Sequence, residues 1–290
     1  MSAAEMSVED AAPSLPRKRR VSTRFLRSEI RLIGGRRRNQ MGLLVLAAVP
    51  IVLAISVKLS NGGGGGGGPD FLDSVTSNGL FVPLAALGVE MGIFLPLAIS
   101  MLAGDAVAGE ANIGTLRYLL TVPVSRTRLL AVKYASLCIG ALWGVSTVAV
   151  AGGIIGVALF GTGPLTTLSG NQLDFPAALG RLLLVILYLS ACIAGLAAVG
   201  LFISTLTEQP IAATIALMIF TILSWILDAV PQLAWLHPWL IVHEWLSFSD
   251  LLRDPPFWDN VLRGLGVDAA YAAVFWLLAW ARFSGKDITS

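Results

Sequence analysis

The chain has 290 residues, of which 56% are hydrophobic and 13% charged, with a mean hydropathy of +0.77. Soluble domains carry about 25% charged residues, so a water-soluble fold of this length lacks the polar surface to cover itself, and a soluble enzyme is excluded. The net charge of +2 is unevenly held, because ten of the 20 Lys and Arg fall between Arg17 and Arg38. That is the pattern of a multi-span membrane protein with a basic N-terminal segment.

Residues 1–21 read as a disordered basic tail. Residues 22–38 project onto a helix with Leu26, Ile30 and Ile33 on one side and Arg24, Arg27 and Arg31 on the other. A helix of this kind lies in the membrane interface, drawn by anionic lipid. The plainer alternative is a basic signal that stops at the membrane. Phe25 is the one aromatic residue among the basic ones, too little interleaving for a nucleic-acid partner to be expected.

Six apolar stretches follow, at 41–59, 80–103, 133–160, 179–204, 211–229 and 265–283. Each approaches or exceeds the ~20 residues a helix needs to cross hydrocarbon. All are helical by necessity, since an open strand in lipid leaves backbone groups unpaired. The first run stands too far along the chain to be a cleaved signal peptide. Cys138 and Cys192 each lie inside an apolar run, with no ligand cluster or disulfide partner nearby in sequence.

Orientation follows from the basic residues between spans. The N-terminus, the 104–132 loop with Lys133 at its edge, and the C-terminus together hold sixteen Lys and Arg, whereas the opposite side holds Lys58, Arg181, Arg253 and Arg263. Both termini are therefore expected in the cytoplasm. The expected fold is an all-α membrane protein with six transmembrane helices and an N-terminal interfacial amphipathic helix.

Small residues recur along the third span at Ser136, Gly140, Gly144, Gly152 and Gly156, a row that lets another helix approach closely. Its partner is either a helix of the same bundle or a second subunit. The preceding loop carries the most information. Thr115 is placed to cap a short helix whose apolar residues Leu116, Leu119 and Leu120 share one face. Pro123 ends that helix, and Ser125 is placed to cap the next. Such an exposed apolar face either folds back onto the bundle or docks into a groove on another protein.

The stretch from Glu110 through Gly114, Thr115, Leu116, Arg117, Leu119, Leu120, Pro123, Val124, Ser125 and Arg126, with Asp105 upstream and Lys133 downstream, resembles the ABC-2 type permeases. These are the transmembrane subunits of one class of ATP-binding-cassette exporters. The resemblance extends to the six spans, to the polar break Ser204-Thr205-Leu206-Thr207, and to the closing Arg282-Phe283 and Lys286-Asp287-Ile288. It implies that 105–126 contains a coupling helix seated in a cleft of a separate ATPase subunit, present in two copies. It further implies a dimer with a second permease copy or a related permease, and a place in the bacterial cell membrane. ATP and Mg would be bound by that partner. This chain has no P-loop, because Gly285-Lys286 is followed by Asp287 and Trp280 stands where the first glycine belongs. It is therefore expected not to be an enzyme itself.

Glu90 and Asp268 fall inside spans, where ionisable groups face a bundle interior or a watery cavity. They are either polar points on a translocation path or dimer interface, or protonated carboxyls bonded to neighbours. A secondary transporter or channel would also use them, and that is the alternative reading of function. Residues 230–264 hold Trp235, Trp239, Trp245, Phe248, Phe257 and Trp258, expected as short re-entrant helices at the outer membrane surface. His237, His243 and Glu244 share this segment, but H-E-x-x-H fails at Ser247, and no metal is expected.

Overall fold

Backbone amides and carbonyls immersed in hydrocarbon have only one another to bond, and the chain answers with helices almost throughout. The computed structural model describes residues 24–61, 78–112 and 125–285. Within them run α1 (Arg24–Gly35), α2 (Arg37–Asn61), α3 (Phe81–Gly92), α4 (Phe94–Gly104), α5 (Arg126–Phe160), α6 (Phe175–Leu206), α7 (Pro210–Asp228) and α8 (Asp259–Gly285). A π-helical turn, Asp105–Gly109, and a further turn, Glu110–Asn112, prolong α4. A small antiparallel ribbon pairs β1 (Leu165–Thr166) with β2 (Gln172–Leu173). Three short 3-10 helices occupy the connection from α7 to α8, at Pro231–Leu233, His237–Trp239 and Trp245–Leu252.

Six helices are long and apolar enough to cross a membrane: α2, α4 with its extension to Asn112, α5, α6, α7 and α8. The chain is an all-α, multi-pass membrane protein. Polar contacts sort the helix ends into two sets. At one end Arg36 and Arg38, beside the start of α2, meet Asp105 beyond α4, and Arg126 at the start of α5 meets the last turn of α8. At the other, Lys58 donates to the Leu159 carbonyl (3.1 Å), Gly79 N–H donates to the Gly161 carbonyl (3.1 Å), and Arg181 approaches Asp254. Successive passes therefore run in opposite directions. The α6 pass is the most enclosed, with 67% of its apolar window buried against 17% for α2 and α8.

The stretch expected as one span over 80–103 is two helices, broken at Ile93 (φ −139°, ψ −50°). Pro96 explains the break, because its ring clashes with the carbonyl four residues earlier, on Gly92, and its nitrogen has no proton to offer it. The third pass starts at Arg126, seven residues before the expected 133. Ser125 is its N-cap, as its sequence position suggested, and the Oγ accepts from Arg128 N–H at 3.4 Å. Lys133 is thus a residue of α5 rather than of the loop.

The row of small residues on α5 is used inside the chain. Gly152 lies against Pro83, Gly156 against Gly79, Gly140 against Leu102 and Gly144 against Leu95. A side chain on Gly152 would come within 2.8 Å of the Pro83 backbone, and one on Gly156 would run into the Gly79 carbonyl. Glycine there lets the α3 end of the broken pass lie directly on α5. In the α7–α8 connection the aromatics divide. Trp235 and Trp239 are exposed, but Trp245 is fully buried with its ring edge-on to Trp225 of α7 (6.1 Å, 80°), and Phe248 is buried too. Trp245 and Phe248 therefore pack within the protein, and only part of the aromatic set is outward-facing.

Candidate functional site

The last described residue before the 113–124 segment is Asn112, and the first after it is Ser125. The site is built around these two flanks. Gly114, Thr115, Leu116, Arg117, Leu119, Leu120, Pro123 and Val124 lie outside the described residues. So do the basic tail and the glycine run Gly62–Gly68.

On the upstream flank, the π turn widens the helix, so backbone groups lose their α-helical partners. Ser204, near the end of α6, supplies what is missing. Its Oγ accepts from Val107 N–H (3.1 Å) and Ala108 N–H (2.9 Å) and donates to the Gly104 carbonyl (3.0 Å). Two carboxylates project from the region so fixed. Asp105 Oδ2 accepts from Arg36 Nη1 (2.6 Å) and from Arg38. Glu110 Oε1 lies 2.6 Å from Lys133 Nζ, which also stands 3.7 Å from Glu29 Oε2 on α1. The Lys133 side chain is 2% exposed, between carboxylates that are 13% and 10% exposed. A lysine this deep is tolerable only where counter-charges meet it. The cluster ties α1, the α1–α2 junction, the end of α4 and α5 into one charged joint, around a small cleft that Leu32, Ile33, Asn39 and Ser136 help to line.

On the downstream flank, Arg126 donates to the carbonyls of Phe283 (3.2 Å) and Ser284 (2.8 Å), and Trp280 Nε1 donates to Thr127 Oγ1 (2.8 Å). A cation on the final carbonyls of a helix also suits the negative end of its dipole. The upstream flank is therefore fastened to α1, α2, α5 and α6, and the downstream flank, itself the start of α5, to α8.

Glu90 and Asp268, expected at a path or subunit contact, are enclosed within the single chain at 0% and 3% exposure. Among the described residues neither oxygen of Glu90, nor Oδ1 of Asp268, has a hydrogen-bond partner. Asp268 packs on Gly195, where any side chain would come within 3.1 Å of it. In α1, Arg24, Arg27 and Arg31 are exposed, while Leu26, Ile30 and Ile33 are half-buried. Glu29 was missed in the sequence. It is the only acid between Arg24 and Arg38, and it borders the apolar stripe of α1, which was the available signal.

The model of a family described as "Protein of unknown function (DUF2705)" matches residues 51–289, more than half of the chain. No curated protein matches the sequence.

Proposed function

The chain belongs to the DUF2705 family, and we propose that it is the membrane-spanning permease subunit of an ATP-binding-cassette exporter in a bacterial cell membrane. Both termini and the 113–124 segment face the cytoplasm in this reading, the α7–α8 connection faces outward, and the basic side of α1 lies on anionic lipid. Two such subunits, or one with a related permease, line the path for a hydrophobic or amphipathic cargo. Separate ATPase subunits, which bind ATP and Mg, dock at the 113–124 segment.

One observation carries the reading. The joint of Asp105, Glu110, Lys133, Glu29, Arg36 and Arg38 braces the upstream flank of the very segment whose motif resembles a coupling helix. A segment that only connected two spans would gain nothing from a buried ionic brace. A segment that must pass on a displacement needs rigid attachment to the helices it moves.

The test is to purify the tagged chain from its own host membranes and measure co-eluting ATP hydrolysis, for the wild type and for Leu116→Asp with Leu120→Asp. Neither substitution replaces a residue of the ionic joint. The variant is expected to reach the membrane in normal amount and to lose the hydrolysis. No hydrolysis with the wild type, or full hydrolysis with the variant, would remove the basis for the proposal.

A second reading, a secondary transporter or channel, rests on the unpartnered carboxyl oxygens of Glu90 and Asp268. It requires an ion gradient, rather than ATP, to drive transport.

A further inference from the structure

The strongest feature left over is at the far end of the molecule, where α7 gives way to the 3-10 segment. The chain contains two histidines in all, and both are here, turned toward the carboxylate that ends α7. His243 Nδ1 stands 2.6 Å from Asp228 Oδ1. The His237 and His243 rings lie 5.7 Å apart, tilted by 41°. One ligand-capable atom from each of Asp228, His237 and His243 lies within 4.8 Å of the other two. We propose that these three side chains form a binding site for a first-row divalent transition metal ion, of which zinc is the closest chemical fit.

The donor set argues for the class of ion. Two imidazoles and one carboxylate suit zinc and its neighbours, whereas calcium and magnesium take shells of oxygen. Tetrahedral zinc, with bonds of about 2.0–2.1 Å, sets its ligand atoms roughly 3.3 Å apart. The 2.6 Å between His243 Nδ1 and Asp228 Oδ1 and the 4.8 Å bound on all three separations lie on either side of that value. The orienting contact that metal-bound histidines usually have is already in place. His237 Nε2 meets the Val230 carbonyl at 3.1 Å, so it must carry the proton, which leaves the lone pair on Nδ1. At His243 the metal replaces the proton now shared with Asp228. The site is neither sealed nor fully open, with side-chain exposures of 31% for His243 and 18% for Asp228, so an ion can reach it from water. Glu244 Oε1 is close, 4.0 Å from His243 Nε2, but Ser247 Oγ donates to its other oxygen at 2.5 Å. We assign it outside the ligand set.

Three protein ligands leave a fourth position for water or another donor. Binding would fasten the end of α7 to 3-10 turns, whose own hydrogen-bond geometry is poor. The set does not follow H-E-x-x-H, because the third ligand, Asp228, lies nine residues before the first histidine, across a turn.

The test uses the full chain in detergent, with any polyhistidine tag removed, stripped with a chelator and titrated with zinc by calorimetry and with cobalt by visible absorption. One ion per chain is expected, with the intense cobalt bands of a four- or five-coordinate site. His237→Gln and Asp228→Asn should each weaken zinc binding on the order of 10–100-fold or more, whereas Glu244→Gln should leave it unchanged. His237→Cys should keep the ion and add a thiolate-to-cobalt charge-transfer band, which a variant that merely unfolds cannot produce. Failure of the wild type to bind a stoichiometric ion would overturn the proposal. Undiminished binding in both His237→Gln and Asp228→Asn would do so as well.

Discussion

Replacing Lys133 by Met tests the ionic joint directly. Lys133 Nζ is 2.6 Å from Glu110 and 3.7 Å from Glu29. At an effective dielectric of 20 these separations correspond to gross attractions of about 6 and about 4.5 kcal/mol. Taking three charges out of water cancels most of that, so the intact cluster contributes little net stability. Removing only the cation is a different matter, because two carboxylates then remain buried near each other without a counter-charge. Breaking a buried pair in this way costs about 3–5 kcal/mol. Lys133→Met should therefore unfold at clearly lower temperature than the wild type when tryptophan fluorescence is followed in detergent. Glu29→Gln should have a smaller effect, given its longer distance. The triple variant Glu29→Leu, Lys133→Met, Glu110→Leu should regain wild-type stability or exceed it by about 1–4 kcal/mol, since apolar replacements of a whole buried cluster are often neutral or better. If the chain is the proposed permease subunit, that triple variant should still lose ATP-coupled transport, because the brace is gone although the fold is not. Equal melting of Lys133→Met and wild type would refute the reasoning. So would a triple variant less stable than the single one.

Two further predictions follow from the packing. Ser204→Ala removes the acceptor of Val107 and Ala108 N–H, and each buried donor left unsatisfied costs about 1–3 kcal/mol, so the melting temperature should drop; an unchanged melt would mean that the π turn does not depend on Ser204. Gly156→Ala should be strongly destabilising because its Cβ meets the Gly79 carbonyl, whereas at Gly153 nothing lies within 4 Å, so Gly153→Ala should be neutral or stabilising by about 0.5–1 kcal/mol. Indistinguishable thermal stability of the two alanine variants would show that α5 and the start of α3 are not in contact.

How much of this was legible in the sequence depends on whether the signal is local. Apolar runs announce helices that cross a membrane, and five of the six expected stretches correspond to single helices. The exception at Ile93 also had a local sign in Pro96, which breaks the helix. The glycine row of α5 showed that a close approach occurs, but not that residues 79–83 make it. The joint was half visible. Asp105, Glu110 and Lys133 were noted, yet their partners Glu29, Arg36 and Arg38 come from elements about 70 to 100 positions away, and no periodicity encodes such a pairing. The same holds for Ser204, noticed as part of a polar break, whose purpose depends on a π turn almost 100 residues upstream. Asp228 was not noticed at all, because an acid at a helix end looks like ordinary solvated surface.

The attachments of the 113–124 segment limit how it can act. Its upstream flank is bound to the start of α2 through Asp105, to α1 and α5 through Lys133, and to α6 through Ser204. Its downstream flank is bound to the end of α8 through Arg126 and Thr127. A push on the segment therefore reaches α1, α2, α5, α6 and α8, of which α2 and α8 are the least enclosed passes. The α6 pass, buried on most sides, is the one least free to follow. On the exporter reading, the push reaches α2 through Asp105 and α8 through Arg126, and α8 passes it to α6, the helix it packs against most extensively. On that reading, the π turn beside Ser204 is the point at which the upstream flank can shift against α6. A π turn suits that role, since its backbone hydrogen bonds are already partly given over to a side chain and can be rearranged without exposing a fully α-helical ladder.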